Sequence, residues 1–530
     1  MTQVLLEEPS VLGVKAFNKV DYSQGSKRAW IAIFGGLIGA FMAILDIQIT
    51  NSSLKEIQGG LGATVEEGSW ISTSYLVAEM IAIPLSGWLS KVCDVRRYAI
   101  INTVLFIIAS LLCSLSWNLE SMITFRAMQG FFGGALIPMA FSLILEKLPI
   151  EKRSIGMALF GLTATFAPSI GPTFGGWLTE QFSWSYLFYI NVPPGIIVIA
   201  MLSYGLPKRA GMWSEFKKGD FSGVFTMALG LGSLEVVLED GNRKGWFDSD
   251  LIRNLAIIAV INIILFVYIQ LKKANPLVNL RLFAKRDFVL STLAYFFLGW
   301  GLFAGIYMVP LYLSQVQNYS AMDIGEVLMW MGFPQLLLLP LLPKIMKKVD
   351  SRYLVSFGFL MFGMSYYLNS HMTLDFAGDQ MILSMVVRAM GLPFVIVPLG
   401  TLATDYLKEE ENASASTLLN VLRNLGGAFG IALVATFIDT LTRMHLSIMR
   451  ETIPAVSVQA SQYLQQTAQT LQMAGSNAVT ANDQASKILL QTMQQQANIQ
   501  AYNDVFLIVS GILALAAVIV LGIRKPMESP

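Results

Sequence analysis

Residues 30–50 read WIAIFGGLIGAFMAILDIQIT, an unbroken apolar run with a single acid, Asp46, toward its far end. A membrane-spanning helix needs roughly 20 consecutive apolar residues. Runs of the same kind recur near 70–90, 98–116, 120–145, 155–177 and 184–205, then near 221–238 and 251–271. Six more lie near 288–313, 321–343, 353–370, 381–403, 413–440 and 502–523. The expected fold is an all-α polytopic membrane protein of fourteen transmembrane helices. Soluble buried helices are the alternative, but these runs are too long and too uniformly apolar for that.

Composition agrees. The chain is 54% apolar and only 13% charged, against roughly a quarter charged in soluble proteins. A net charge of +1 gives no electrostatic case for nucleic acid. Cys93 falls in a basic loop and Cys113 inside an apolar run, so no disulfide is expected. His371 and His445 sit in polar segments or at helix ends, which argues against a metal site. There is no phosphate-binding GxxxxGK[ST] loop, no carbonyl-lined ion filter and no plausible nucleophile–base set. No cofactor is expected. An ion gradient is left as the energy source, and a secondary transporter as the first reading. A membrane-embedded enzyme or a non-transporting sensor is the reading from another class.

Lys and Arg set the orientation. They concentrate in alternate loops, among them Lys91, Arg96, Arg97, Lys147, Lys217, Lys272, Arg286 and Lys348. With those loops in the cytoplasm, both termini lie inside. Residues 1–29 carry no signal-peptide pattern and read as a cytoplasmic tail, as do 524–530. Long basic loops after the sixth and eighth spans divide the chain into an N-terminal six-helix bundle, 30–205, and a C-terminal one, 286–523. Between them, residues 206–285 supply two inserted helices with basic linkers, expected to stand outside any central cavity. RAMQGFFGG in the fourth span is echoed by RAMGLPFV in the twelfth, placing Arg126 and Arg388 comparably in two halves, as in many transporters built from repeats.

Residues 450–500 are rich in Gln, Ala and Thr and poor in charge. Val456, Ala460, Leu464, Ala468 and Leu471 suit one helix face, and Ile488, Leu489, Met493 and Ala497 another. SNAVTAND supplies a break. The segment reads as a periplasmic helical hairpin, with a disordered polar loop as the alternative.

Ionisable groups inside a bilayer are costly and mark function by default. Asp46 lies about 24 Å into the first span, and Arg126 about 10 Å into the fourth from the opposite end, which is nearly the same depth. Such a pair can neutralise itself and exchange a proton as its surroundings change. Gly35, Gly39 and Ala43 share the Asp46 face, so a neighbouring helix can approach it closely. Glu79 and Glu235 lie in the second and seventh spans without a sequence-local partner. All four are candidates for proton coupling; a hydrogen-bonded structural carboxyl is the bland alternative. Phe296, Trp300, Phe303 and Tyr307 form an aromatic stripe on the ninth span. With Gln129, Arg388 and Arg423 they are the candidate lining of a substrate cavity, the alternatives being plain packing or lipid contact for the aromatics and helix-end anchoring for the arginines. Gly171, Pro172, Gly175 and Gly176 in APSIGPTFGG point to close, kinked helix packing.

These motifs resemble those of the major facilitator superfamily, in its fourteen-helix drug:proton antiporter branch. LDIQITNSSL is similar to that branch's signature around an intramembrane Asp. GWLSKVCDVRR, with Gly87, Lys91, Arg96 and Arg97, resembles the basic loop motif between the second and third helices, which usually has Asp in place of Lys91 and Gly in place of Asp94. RAMQGFFGG resembles the fourth-helix motif and puts Arg126 on the Arg assigned to proton transfer. APSIGPTFGG resembles the antiporter motif of the fifth, which disfavours an uptake symporter. The resemblance implies a proton-driven antiporter in the bacterial inner membrane, exporting amphiphilic or aromatic small molecules. It also implies a tripartite assembly with a periplasmic adaptor (a membrane fusion protein, EmrA-like) and a TolC-type outer-membrane channel. Protons, a small-molecule substrate and membrane lipid are the other partners expected, with no cofactor and no metal.

Overall fold

The computed structural model describes residues 23–209, 211, 216, 219–273, 276–339, 341–404, 406–408, 411–452, 458–474 and 477–524. Among them there is helix and no strand. The long helices are α1 (Lys27–Ser52), α2 (Trp70–Cys93), α3 (Val95–Ser114), α4 (Leu119–Lys147), α5 (Ile150–Gln181), α6 (Val192–Gly205), α7 (Phe221–Asp240) and α8 (Asp250–Lys272). After them come α9 (Arg286–Gln315), α10 (Ala321–Met329), α11 (Ser351–Leu368), α12 (Gly378–Thr404), α13 (Asn412–Thr452) and α14 (Ala478–Leu521). Side chains cap several of them: Ser26 accepts from the Ala29 amide before α1, and Asn118 from the Ser121 amide before α4.

Twelve helices among the described residues are long and apolar enough to cross a membrane. The two expected spans outside that set differ for separate reasons. The 321–343 run is broken: α10 ends at Met329, and two short helices follow, Phe333–Leu338 and Leu342–Met346. Pro334 and Pro343 stand in their first turns, where the missing N–H is harmless; inside a continuous helix each would remove a hydrogen bond and clash with the carbonyl four residues back. α11 is continuous and 18 residues long, but Arg352, Tyr353, Tyr366, Tyr367 and its serines make it less apolar than the other spans.

α4 packs on α1 and α3, α6 packs on the same two helices, and α2 lies against α4 and α5 against α1. α11 and α12 pair, α9 lies along α13, and α14 touches α9, α11 and α13. α7 pairs with α8 but also reaches α2 and α13. Small residues set the closest approaches. A Cβ on Gly134 would sit 2.8 Å from the Glu79 Cα, and one on Gly36 would sit 3.4 Å from the Ala140 Cα. Without an apolar driving force between helices in lipid, such backbone proximity is what holds spans together. Gly171 and Gly175 do the same for α5 against Gln48 and Ile49 of α1.

The loop motif joining α2 to α3 turns at Asp94, whose φ is +71°. Glycine adopts that region freely and other residues do so under strain, which accounts physically for the glycine this motif usually has there. Lys91 and Arg97 are exposed and Arg96 is half-buried at the same turn.

α13 and α14 run 41 and 44 residues, about 62 and 66 Å at helical rise, roughly twice a hydrocarbon core. A further helix, Val458–Met473, packs on the start of α14 through Ala468, Ala481 and Ala485. Asn477 caps α14, accepting from the Thr480 amide, so most of the expected SNAVTAND break is helix and only its start lies at the turn. Residues 453–457 and 475–476 lie outside the described residues, as do most of the two expected tails.

Candidate functional site

Asp46 on α1 and Arg126 on α4 meet as the two depths in the sequence require. Arg126 Nη1 lies 2.6 Å from Asp46 Oδ2, and neither side chain is exposed. The other carboxylate oxygen accepts from Gln129 Nε2 at 2.8 Å and from Asn191 Nδ2 at 2.6 Å. Gln129 also accepts from Arg126 Nη1 at 2.8 Å and donates to Ser110 Oγ at 2.8 Å. The guanidinium donates through Nε to the Ile71 carbonyl at 3.3 Å and lies 4.3 Å from the centre of the Tyr75 ring. Five helices or helix ends therefore contribute to the network around one carboxylate. The carboxylate is paired and hydrogen-bonded on both oxygens, the condition under which a buried ion pair is tolerable, while among the described residues Arg126 Nη2 has no hydrogen-bond partner.

Gln129 thus belongs to the Asp46 network and not to a substrate cavity. Asn191, Ser110 and Tyr75 are members that the sequence reading missed. Asn191 carried a signal: it is the lone amide in LFYINVPP, at the mouth of an otherwise apolar helix. Ser110 carried none, because serine is common in spans.

A cavity lies on the other side of α1, walled by Ile44, Ile47 and Gln48. Glu79 of α2, Glu235 and Glu239 of α7, and Arg423 and Asn424 of α13 share it, together with Leu302, Phe303 and Ile306 of α9. The Asn424 amide approaches Glu79 Oε1 at 3.5 Å. Among the described residues, the buried Glu235 Oε2 and Arg423 Nε have no hydrogen-bond partner. One expectation is corrected here. α7 lines the cavity through two carboxyls, so it does not stand outside, whereas α8 contributes nothing to this wall. Glu239, four residues from Glu235 and hence on the same helix face, falls just past the expected span 221–238 and was not among the candidates.

Of the aromatic stripe only Phe303 reaches this cavity, and Tyr307 lines a separate cleft nearer the α13–α14 extension. Phe296 and Trp300 are turned into the α9–α13 contact, where Gly426 and Gly430 lie against their backbones. They are packing residues because the glycine seam of α13 draws that face of α9 inward.

Arg388 is also off the cavity wall. It is buried 4.5 Å from the centre of the Tyr366 ring, its Nε donating to Ser365 Oγ at 3.3 Å, with Gly305 beneath it. The arrangement parallels Arg126 over Tyr75, but among the described residues no carboxylate pairs with Arg388. The two halves match in the arginine and differ in the acid.

Outside the spans, Asp220 caps α7. Burial acts to raise its carboxyl, but hydrogen bonds from Lys273, the Gly223 amide, Gln270 and Ser222 outweigh that and hold it below the usual carboxylate range.

The sequence pattern of the Major Facilitator Superfamily matches residues 36–431. The chain is 36% identical to the colistin resistance protein EmrB of Acinetobacter baumannii, over 93% of this chain and 96% of that protein. It is 35% identical to the probable multidrug resistance protein EmrY of Escherichia coli, over 80% and 83%. It is 31% identical to the multidrug export protein EmrB of the same organism, over 92% and 94%. Among solved structures, a POT family transporter superposes with a TM-score of 0.58 at 16% identity, over 93% of this chain and 95% of that one. The human organic anion transporter MFSD10 gives 0.55 at 13%, over 92% and 99%. Those two likenesses are of fold. With the helical architecture, the buried Asp46–Arg126 pair and relatives matched over nearly its whole length, the chain belongs to the major facilitator superfamily.

Proposed function

We propose that this protein is a proton-driven antiporter that exports amphiphilic or aromatic small molecules, the Asp46–Arg126 pair carrying the coupled proton. The observation that supports this most is that pair: fully buried, an acid matched to a base, and separated from a cavity of carboxyls by the thickness of one helix, with Ile47 and Gln48 lining the cavity and Asp46 on the other side of the helix. Protonating Asp46 would release Arg126 and loosen the α1–α4 contact beside the cavity wall. Cargo arriving at the wall would shift the same helix from the other side. The multidrug-export names of the relatives agree with this reading.

In this reading residues 30–205 and 286–523 are two bundles around the cavity. The protein sits in the bacterial inner membrane with both termini cytoplasmic, and α13 and α14 project on the periplasmic side. The hairpin they carry docks an EmrA-like periplasmic adaptor, which joins the pump to a TolC-type channel. Exposed Tyr463, Met473, Val479 and Leu490 give that hairpin an apolar surface for a partner.

The test is transport by the purified protein in liposomes, with ethidium and rhodamine as cargo and an imposed proton gradient. Dye should move against its gradient and dissipate the pH difference. Dye movement indifferent to pH, or none, would remove the reading.

A further inference from the structure

Beyond the central cavity the same two helices continue into a second space. The central cavity is walled on α9 as far as Ile306 and on α13 as far as Ile431. The cleft begins at Tyr307 of α9 and Ala435 of α13, one residue and about one helical turn further on. It has a volume of about 200 Å³. Its third wall is α14, through Gln494 and Asn498, in the part of that helix leading to the hairpin. Leu311 and Ile438 give it an apolar side, and the amides of Gln315, Gln494 and Asn498 give it a hydrogen-bonding side. Thr442 donates to Asn498 Oδ1 at 3.0 Å, tying α13 to α14 at this level. Tyr307, which follows Ile306 of the cavity wall along α9, stands at the junction of the two spaces.

We propose that this cleft is the exit site for cargo: an amphiphilic molecule leaving the central cavity passes Tyr307 and rests with its apolar body on Leu311 and Ile438 and its polar end on Gln494 and Asn498. The α14 extension then forms part of the transport route and is more than a mount for the hairpin. The proposal rests on the exporter reading.

The test uses the full-length protein in liposomes without any adaptor, so that lost docking cannot explain a lost rate. Asn498→Trp and Gln494→Trp should slow ethidium transport about ten-fold, a barrier increase of about 1.4 kcal/mol. Equilibrium binding of ethidium to the same variants should change little, because the central cavity is untouched. Gln495→Trp, one residue along on the same exposed turn but off the cleft, should transport normally. Gln494→Cys in a Cys93→Ser background guards against misfolding. There a bulky methanethiosulfonate reagent should block transport after folding is complete, and a reducing agent should restore it. Normal rates in both Trp variants and in the labelled Cys variant would overturn the proposal. Wild-type liposomes that move neither ethidium nor rhodamine would overturn it together with the exporter reading; wild-type transport with unaffected variants would overturn it alone.

Discussion

Replacing Arg126 with Gln removes the positive half of a pair that shares no surface with water. Breaking a buried ion pair from one side destabilises by about 3–5 kcal/mol, since the remaining charge stays buried. The contact over the Tyr75 ring, 4.3 Å from its centre, adds about 0.5–2 kcal/mol. Amide donors from Gln129 and Asn191 stay on Asp46 in the variant, so the loss is set near 4–5 kcal/mol rather than at the sum of the upper limits. Asp46→Asn is expected to lose less, about 2–3 kcal/mol, because the guanidinium keeps the Gln129 and Ile71 oxygens and the tyrosine face. The double variant has no charge to strand and keeps polar side chains of similar size, at about 2–3 kcal/mol. The singles then exceed the double by about 4 kcal/mol, a coupling large against the few tenths seen for independent sites. Reversible unfolding by SDS in mixed micelles, followed by tryptophan fluorescence, gives all three values. Additivity within about 0.5 kcal/mol would mean that no charged pair exists in the resting protein, and the reasoning would fail.

Gly130→Ala should destabilise by roughly 1–3 kcal/mol or more, because the added methyl meets the Tyr75 carbonyl oxygen and must push α2 from α4; the same SDS titration reads it, and a neutral result would show that the contact is slack. Asp220→Asn should be less stable than wild type above about pH 4, the unfolded carboxyl value; since Asp220 is held low in the folded state, its contribution is complete there and disappears as pH falls through the folded value. Unfolding midpoints that stay apart at lower pH would contradict that sign. Deleting residues 456–486 across a short linker, which keeps Gln494 and Asn498, should leave dye transport in liposomes intact and abolish drug resistance in cells; unchanged resistance would end the docking role of the hairpin.

The fold was legible because lipid imposes one requirement, an apolar run of sufficient length, and nearly every span meets it openly. Asp46 and Arg126 were legible for the converse reason: a charge in such a run is anomalous, and helical rise alone places the two at one depth. The break after α10 could have been read from Pro334, Pro340 and Pro343, but the apolar residues between them masked it. Which face of α9 meets cargo was not legible. It depends on how α13 rotates α9 through Gly426 and Gly430, a contact between segments more than a hundred residues apart. Glu239 was missed because an acid near an expected helix end normally finds water, and here α7 leans on α2 and α13 instead.

The central claim is that proton movement passes through Asp46. Liposomes carrying wild-type or Asp46→Asn protein, loaded with a pH-sensitive dye and given ethidium under an inward or outward proton gradient, test it most directly. The variant should bind ethidium and let it equilibrate, while neither concentrating it against its gradient nor releasing protons in response. Uphill transport by Asp46→Asn at the wild-type rate, with matching proton flux, would contradict the claim and move the coupling to the cavity carboxyls Glu79, Glu235 and Glu239.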